Sequence, residues 1–198
     1  MAVGMRHTDA PDLEKTMSTE RWQIDSSHSG IQFTVRHLVI AKVRGQFSRW
    51  TGSLETPGRD FSRASLDVVI DASSIDTGVA DRDAHLRSAD FFDVERYPEI
   101  TFTSTAVTQA AADRLRVTGA LTIKGITRDV VLDVEVLGQA KDPWGNERAA
   151  FSATTAIDRR EFGLTWNQIL ETGGVMVGER IDIAIEIEAV RQVASQVA

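Results

Sequence analysis

From Trp22 onward, apolar and polar residues alternate with a period of two in runs of about five to ten residues, the signature of half-buried β-strands. Ile31, Phe33 and Val35 alternate with Gln32, Thr34 and Arg36, and Leu66, Val68 and Ile70 with Ser65, Asp67 and Val69. Leu115, Val117, Gly119, Leu121 and Ile123 repeat the pattern, as do Val130, Leu132, Val134 and Val136. The clearest run is Ile181, Ile183, Ile185, Ile187 and Ala189, set between Asp182, Ala184, Glu186 and Glu188. A one-residue slip there would turn every one of these isoleucines toward water, so the register is strongly specified.

Turn residues separate the runs: Thr56-Pro57-Gly58, Lys124-Gly125, Asp142-Pro143-Trp144-Gly145-Asn146 and Gly173-Gly174. Proline restricts φ and glycine permits positive φ where the chain reverses. About eight strands with short connections fit an antiparallel meander curled into a barrel, because closure removes exposed edges. The exception lies between Asp76 and Pro98, where Leu86, Asp90 and Phe91 have helical spacing and Asp83 and Arg87 form an i, i+4 pair. The expected fold class is therefore all-β, an eight-stranded antiparallel barrel with a short helical segment near residues 78–92. No repeat of about 20–50 residues is visible, which disfavours a solenoid or propeller.

Periodicity leaves the barrel interior open. Gly119, Ala149, Ala153 and Ala189 are small inward positions, whereas Phe33, Phe102, Phe151, Phe162 and Trp166 are large. Small residues facing large ones interdigitate into a solid core as readily as they leave room for a ligand. Trp50 and Trp166 sit in strand-like runs and read as core.

The chain has 198 residues and a formal net charge of −7 without a clustered basic segment, so it reads as one domain that does not bind nucleic acid. The absence of cysteine excludes disulfides, iron–sulfur clusters, thiolate zinc sites and cysteine nucleophiles. Residues 1–20 are polar and lack a basic start followed by an apolar run; they read as a disordered tail without a secretory signal, and the expected location is cytoplasmic. The domain spans 21–191 and a short C-terminal tail 192–198. No apolar run approaches the roughly 18 residues of a membrane span.

His28, His37 and His85 lack metal-motif spacing, so no metal is expected. No serine nucleophile elbow, phosphate-cradling loop or dinucleotide fingerprint occurs, and the chain reads as non-catalytic with no cofactor. His37 extends the Ile31, Phe33, Val35 alternation and either caps a ligand headgroup or bonds a backbone carbonyl within the core. Arg82, Asp83, His85 and Arg87 form a polar cluster on the helical segment, with Arg82 and His85 on one face and Asp83 and Arg87 on another. It is expected to tie that segment to strand ends and close one end of the barrel; recognition of a ligand's polar end and acid/base chemistry, with His37, are its alternatives. Asp158, Arg159, Arg160 and Glu161 alternate in sign and read as a solvated rim, with an inward turn of Arg159 as the alternative. Trp144 is expected to cover apolar surface beside its turn rather than close the barrel mouth.

Several stretches together resemble the YceI-like family of lipocalin-like lipid-binding proteins. They are Trp22-Gln23-Ile24-Asp25-Ser26-Ser27-His28-Ser29, Phe33-Thr34-Val35-Arg36-His37-Leu38 and Val43-Arg44-Gly45-Gln46-Phe47, followed by Ser74-Ile75-Asp76-Thr77-Gly78. The segment from Arg82 to Asp93, Tyr97-Pro98-Glu99-Ile100-Thr101-Phe102, Gly119 to Gly125 and Asp158 to Leu164 complete the likeness. The resemblance implies an extended barrel whose apolar interior binds a long amphipathic molecule, such as a polyisoprenoid, an isoprenoid quinone or a fatty-acyl derivative. It also implies a homodimer and a role in transport or storage. Alternation and resemblance together nominate Phe33, Val35, His37, Phe47, Val68, Ile70, Phe102, Leu121, Phe151, Phe162, Trp166, Ile183 and Ile185 as ligand-binding residues. The alternatives are an enzyme acting on a lipid-like substrate in the same pocket and a filled barrel serving as a dimeric interaction module.

Overall fold

The computed structural model describes residues 19–38, 40–169 and 176–192. Most of both expected tails, and the Gly173-Gly174 turn, lie outside the described residues. Thr19 and Glu20 already belong to the first strand, and Gln192 to the last.

The strands are β1 (Thr19–Ile24), β2 (Gly30–His37), β3 (Ala41–Phe47), β4 (Trp50–Pro57), β5 (Ser65–Asp71) and β6 (Ile75–Asp76). After the helix α1 (Ala80–Arg87) come β7 (Glu99–Ala111), β8 (Arg114–Ile123), β9 (Ile126–Lys141), β10 (Glu147–Asp158) and β11 (Val177–Gln192). All pairings are antiparallel, and the order β1-β4-β5-β7-β8-β9-β10-β11 closes into an eight-stranded barrel through β1 and β11. The expected fold class stands.

The short strands β2, β3 and β6 lengthen one side of this barrel. Running along β11, β1 pairs Arg21 with Gln192 and β2 pairs His37 with Val177, as two halves of one interrupted strand. β4 and β3 flank β1 and β2 in the same way. The tight connections follow their residues. Lys124 (φ 50°) and Gly125 (φ 73°) link paired Ile123 and Ile126, a two-residue hairpin with both centres in the left-handed region, which glycine adopts without strain.

Alternation along the strands becomes inside and outside. Ile181, Ile183, Ile185 and Ile187 all pack against the buried core, and Ile183 stands between Phe33 and Thr155 in the ladder. Away from Val177, the barrel end holds an aromatic group: Phe61, on a 3₁₀ turn (Phe61–Arg63), packs against Trp22 and Phe151 with ring centroids 5.4 Å and 5.0 Å apart. Trp22, 1% exposed, donates its indole N–H to Thr56 Oγ1 at 3.2 Å, so its buried polar atom is satisfied.

The helix is shorter than its spacing suggests. Ser88 ends it, and the chain then turns back, with Phe92 N–H bonded to Leu86 O and Asp93 (φ 51°) N–H bonded to Ser88 O. Phe91 therefore reaches the core from a turn. The expected Asp83–Arg87 ion pair does not form. Arg87 donates instead to Ser73 O at 2.7 Å and Ile75 O at 2.9 Å, and Asp83 accepts from Thr77. At the barrel wall, half-buried backbone carbonyls have little access to water, and a guanidinium gains more by satisfying them than from a pair across the helix surface. Among the described residues, no helix is long and apolar enough to cross a membrane.

Candidate functional site

The inward faces of the strands enclose a cavity of about 540 Å³. Its size falls within the ~300–1,000 Å³ usual for small-molecule sites, and its wall is almost entirely apolar. Phe33, Val35, His37, Phe47, Val68, Ile70, Phe102, Leu121, Phe151, Trp166, Ile183 and Ile185 all border it, and so do Trp50 and Ala153.

Two glycines explain how a barrel with so many aromatic side chains stays hollow. Gly45 stands opposite Phe33 in the ladder, and a β-carbon there would lie 2.8 Å from Phe33 Cε1. A β-carbon at Gly119 would lie 2.6 Å from Phe102 Cε2. Each ring thus folds onto bare backbone and becomes wall rather than plug. Ala149 and Ala189, paired across β10 and β11 and 1% and 0% exposed, are packed solid instead.

Phe162 is a correction. It is 0% exposed but does not border the cavity. The alternation that predicts an inward side chain ends with β10 at Asp158. A 3₁₀ turn (Arg159–Phe162) follows, capped by Asp158 Oδ1 accepting from Arg160 N–H at 2.9 Å, and it sends Phe162 into the packed core.

Arg159 is a second correction, because it is not part of a solvated rim. It continues the inward phase of Phe151, Ala153, Thr155 and Ile157, and is 3% exposed. Its guanidinium donates to Gly178 O (2.9 Å), Trp166 O (2.9 Å), Val177 O (3.2 Å) and Leu164 O. Desolvation lowers its pKa, but an arginine remains charged. It binds the Leu164–Trp166 stretch to the start of β11 at the cavity mouth. Arg160 does lie at the rim, paired with Asp158 and Glu179.

The polar cluster on α1 divides as its spacing predicts: Arg82 and His85 border the cavity, whereas Asp83 and Arg87 do not. Thr77 is the hub that the sequence reading missed. Its hydroxyl donates to Asp83 Oδ1 and accepts from Arg82 Nε at 2.7 Å, its N–H donates to Asp83 Oδ1 at 2.9 Å, and its carbonyl accepts from Arg82 Nη2 at 2.8 Å. These bonds fasten the helix to the end of β6. His85 Nε2 lies 2.9 Å from Asp90 Oδ2, and its ring stands edge-on to Trp166 and Phe91 at 4.7 Å and 5.1 Å. His37 borders the cavity, and its imidazole makes no side-chain hydrogen bond among the described residues. Among the described residues, no direct side-chain hydrogen bond links His37, Asp83 and His85.

A second polar network lies outside the cavity. Arg148 donates to Asp25 Oδ2 (3.0 Å), Asp142 Oδ2 (2.9 Å) and Glu188 Oε1, joining the β1–β2 turn, the β9–β10 turn and β11. Hydrogen bonds from Ser27 and His28, then Arg148, outweigh desolvation and hold Asp25 far below the usual carboxylate range. Desolvation also opposes ionisation of Asp142, but bonds from Asn146, Arg148 and Trp144 hold it at about 2. Asp25, His28 and Glu188 lie close enough together to hold a cation, but Arg148 already bonds both carboxylates. Trp144, at the tip of the neighbouring turn, is 81% exposed, so it neither covers apolar surface nor closes the mouth. With Pro143 and Gly145 beside it, the tight turn points it away from the barrel.

The YceI-like domain profile matches residues 22–189. A UPF0312 protein of Staphylococcus aureus is 39% identical over 166 residues, covering 83% of this chain and 93% of its own length. The crystal structure of a Campylobacter jejuni YceI protein is 32% identical, with a TM-score of 0.67, and the match covers 80% of this chain and 90% of that one. A polyisoprenoid binding domain from Saccharophagus degradans shares the fold with a TM-score of 0.61 at 16% identity, covering 86% of this chain and 98% of that domain.

Proposed function

This chain belongs to the YceI-like domain family, and from that premise we propose that it holds a long-chain amphipathic lipid in the barrel and carries or stores it without altering it chemically. The observation that carries this reading is the continuous apolar cavity of about 540 Å³. Binding comes from removing a hydrocarbon chain from water. At about 0.8 kcal/mol per buried CH₂, a five-carbon isoprenoid unit contributes several kcal/mol before ordering costs, so a few units suffice without any buried ion pair. A polyisoprenoid, an isoprenoid quinone or a fatty-acyl derivative meets this requirement. The similarly folded Saccharophagus degradans domain, described as polyisoprenoid binding, supports the first of these. His37, Arg82 and His85, polar residues that border the cavity, would meet the headgroup.

Turnover is disfavoured because Arg82 and Asp83 are engaged with Thr77. Organic extraction of the purified protein followed by mass spectrometry tests the carrier reading. A stoichiometric long-chain lipid is expected. Repeated extraction of nothing, together with no uptake of added polyprenols or fatty acids, would overturn it.

A further inference from the structure

The β2–β3 hairpin departs from the rest of the chain in charge. Between Gly30 and Phe47 there are Arg36, Lys42 and Arg44 and no carboxylate, in a protein with a net charge of −7. Arg36 and Lys42 stand directly opposite each other just below the hairpin tip. The tip itself is apolar: Leu38 is 37% exposed and Ile40 is 87% exposed. Leu38 has φ 52°, a backbone region that bulky side chains rarely adopt and that turns ordinarily fill with Gly, Asn or Asp.

This tip borders the cavity mouth. Leu38 N–H donates to Met176 O and Met176 N–H to Gln168 O, each at 2.9 Å, so the exposed tip is linked by backbone to Ile169, itself 84% exposed. Met176 and His37, beside the tip, line the cavity. Large apolar side chains facing water beside basic ones, at the entrance to a hydrocarbon-sized cavity, are the composition of a membrane-interface contact.

We propose that the β2–β3 hairpin docks the cavity mouth onto an anionic lipid bilayer, with Leu38 and Ile40 entering the acyl boundary and the basic residues meeting phosphate headgroups. The inference rests on the lipid-carrier reading for its purpose, because a mouth held against a bilayer lets a chain pass between the two without crossing water. The surface observations stand apart from that purpose. The basic hairpin, with no carboxylate between Gly30 and Phe47, complements an anionic headgroup layer.

The test is flotation of the full chain with vesicles of phosphatidylcholine alone and of phosphatidylcholine mixed with phosphatidylglycerol. Wild-type protein is expected to bind the mixed vesicles more tightly and to lose that preference as salt rises. Ile40→Asp and Lys42→Glu, both at exposed positions, should keep the wild-type melting temperature and weaken binding by about tenfold or more. Absence of wild-type binding to mixed vesicles overturns the proposal, as does undiminished binding by folded Ile40→Asp. If Ile40→Asp converts a dimer to a monomer in sedimentation velocity and leaves vesicle binding unchanged, a second copy covers the tip and the proposal fails. Extraction of the same preparations separates the two readings. A full lipid load without vesicle binding removes docking alone, and vesicle binding without any lipid load or uptake of added polyprenols or fatty acids upholds docking and removes the carrier reading.

Discussion

The Phe102 ring lies across Gly119, where a β-carbon would come within 2.6 Å of Phe102 Cε2 and 2.7 Å of Thr103 O. Backbone cannot retreat from that contact, so the ring must. Gly119→Ala should cost about 1–3 kcal/mol and push Phe102 toward the lumen. Urea denaturation should show a lower midpoint, and lipid uptake should fall with it. Adding Phe102→Leu should restore uptake; failure of that double variant to recover would argue against the ring as the obstruction.

Ile183 faces the cavity between Phe33 and Thr155, at a half-buried position with empty space before it. Ile183→Trp should fill that space, keep the β-sheet circular dichroism of the wild type and abolish binding of a fluorescent fatty acid. A folded variant with full uptake would place the ligand elsewhere.

Asp83, 6% exposed, accepts both the N–H and the hydroxyl of Thr77. Asp83→Ala strands these buried donors at a cost of about 1–3 kcal/mol and loosens α1 over the mouth. Ligand release in stopped-flow measurements should quicken, and Asp83→Asn, which keeps an acceptor oxygen, should recover part of the effect. An unchanged release rate in a destabilised Asp83→Ala protein would confine the residue to stability.

The Arg148 network should be visible in acid. Asp25 and Asp142 both have lowered pKa values, Asp142 at about 2. A lowered carboxylate pKa contributes stability that is complete above the unfolded value of about 4 and fades as pH falls through the folded value. Wild-type stability should therefore decline from about pH 4 toward pH 2 and below. Arg148→Met should be less stable at neutral pH and show a shallower decline across that window. Equal slopes for the two proteins would remove Arg148 as the cause.

The strands and most of the cavity wall were legible because a barrel turns sequence alternation directly into inside and outside. Ile181 to Ile187 admit one register, and their partners follow. Phe162 was misplaced because the period of two has no meaning beyond Asp158, where a side-chain cap starts a different backbone geometry. Arg159 resembled surface because its neighbours are charged, although its phase with Ile157 already pointed inward. The Arg148 network was invisible for a different reason: Asp25 and Arg148 are 123 residues apart, and only barrel closure brings them together. Hollowness itself depended on where two phenylalanine rings settle, which residue type alone does not specify.

The aromatic group around Phe61 gives the passage a floor. Phe61 and Phe151 both line the cavity and pack edge-on to each other, with Trp22 tilted against Phe61, at the end away from α1. A tube with such a floor also works as a ruler. Chains up to its depth disappear entirely, longer ones leave a remainder protruding, and swapping Phe61 for a smaller residue would lengthen the gauge.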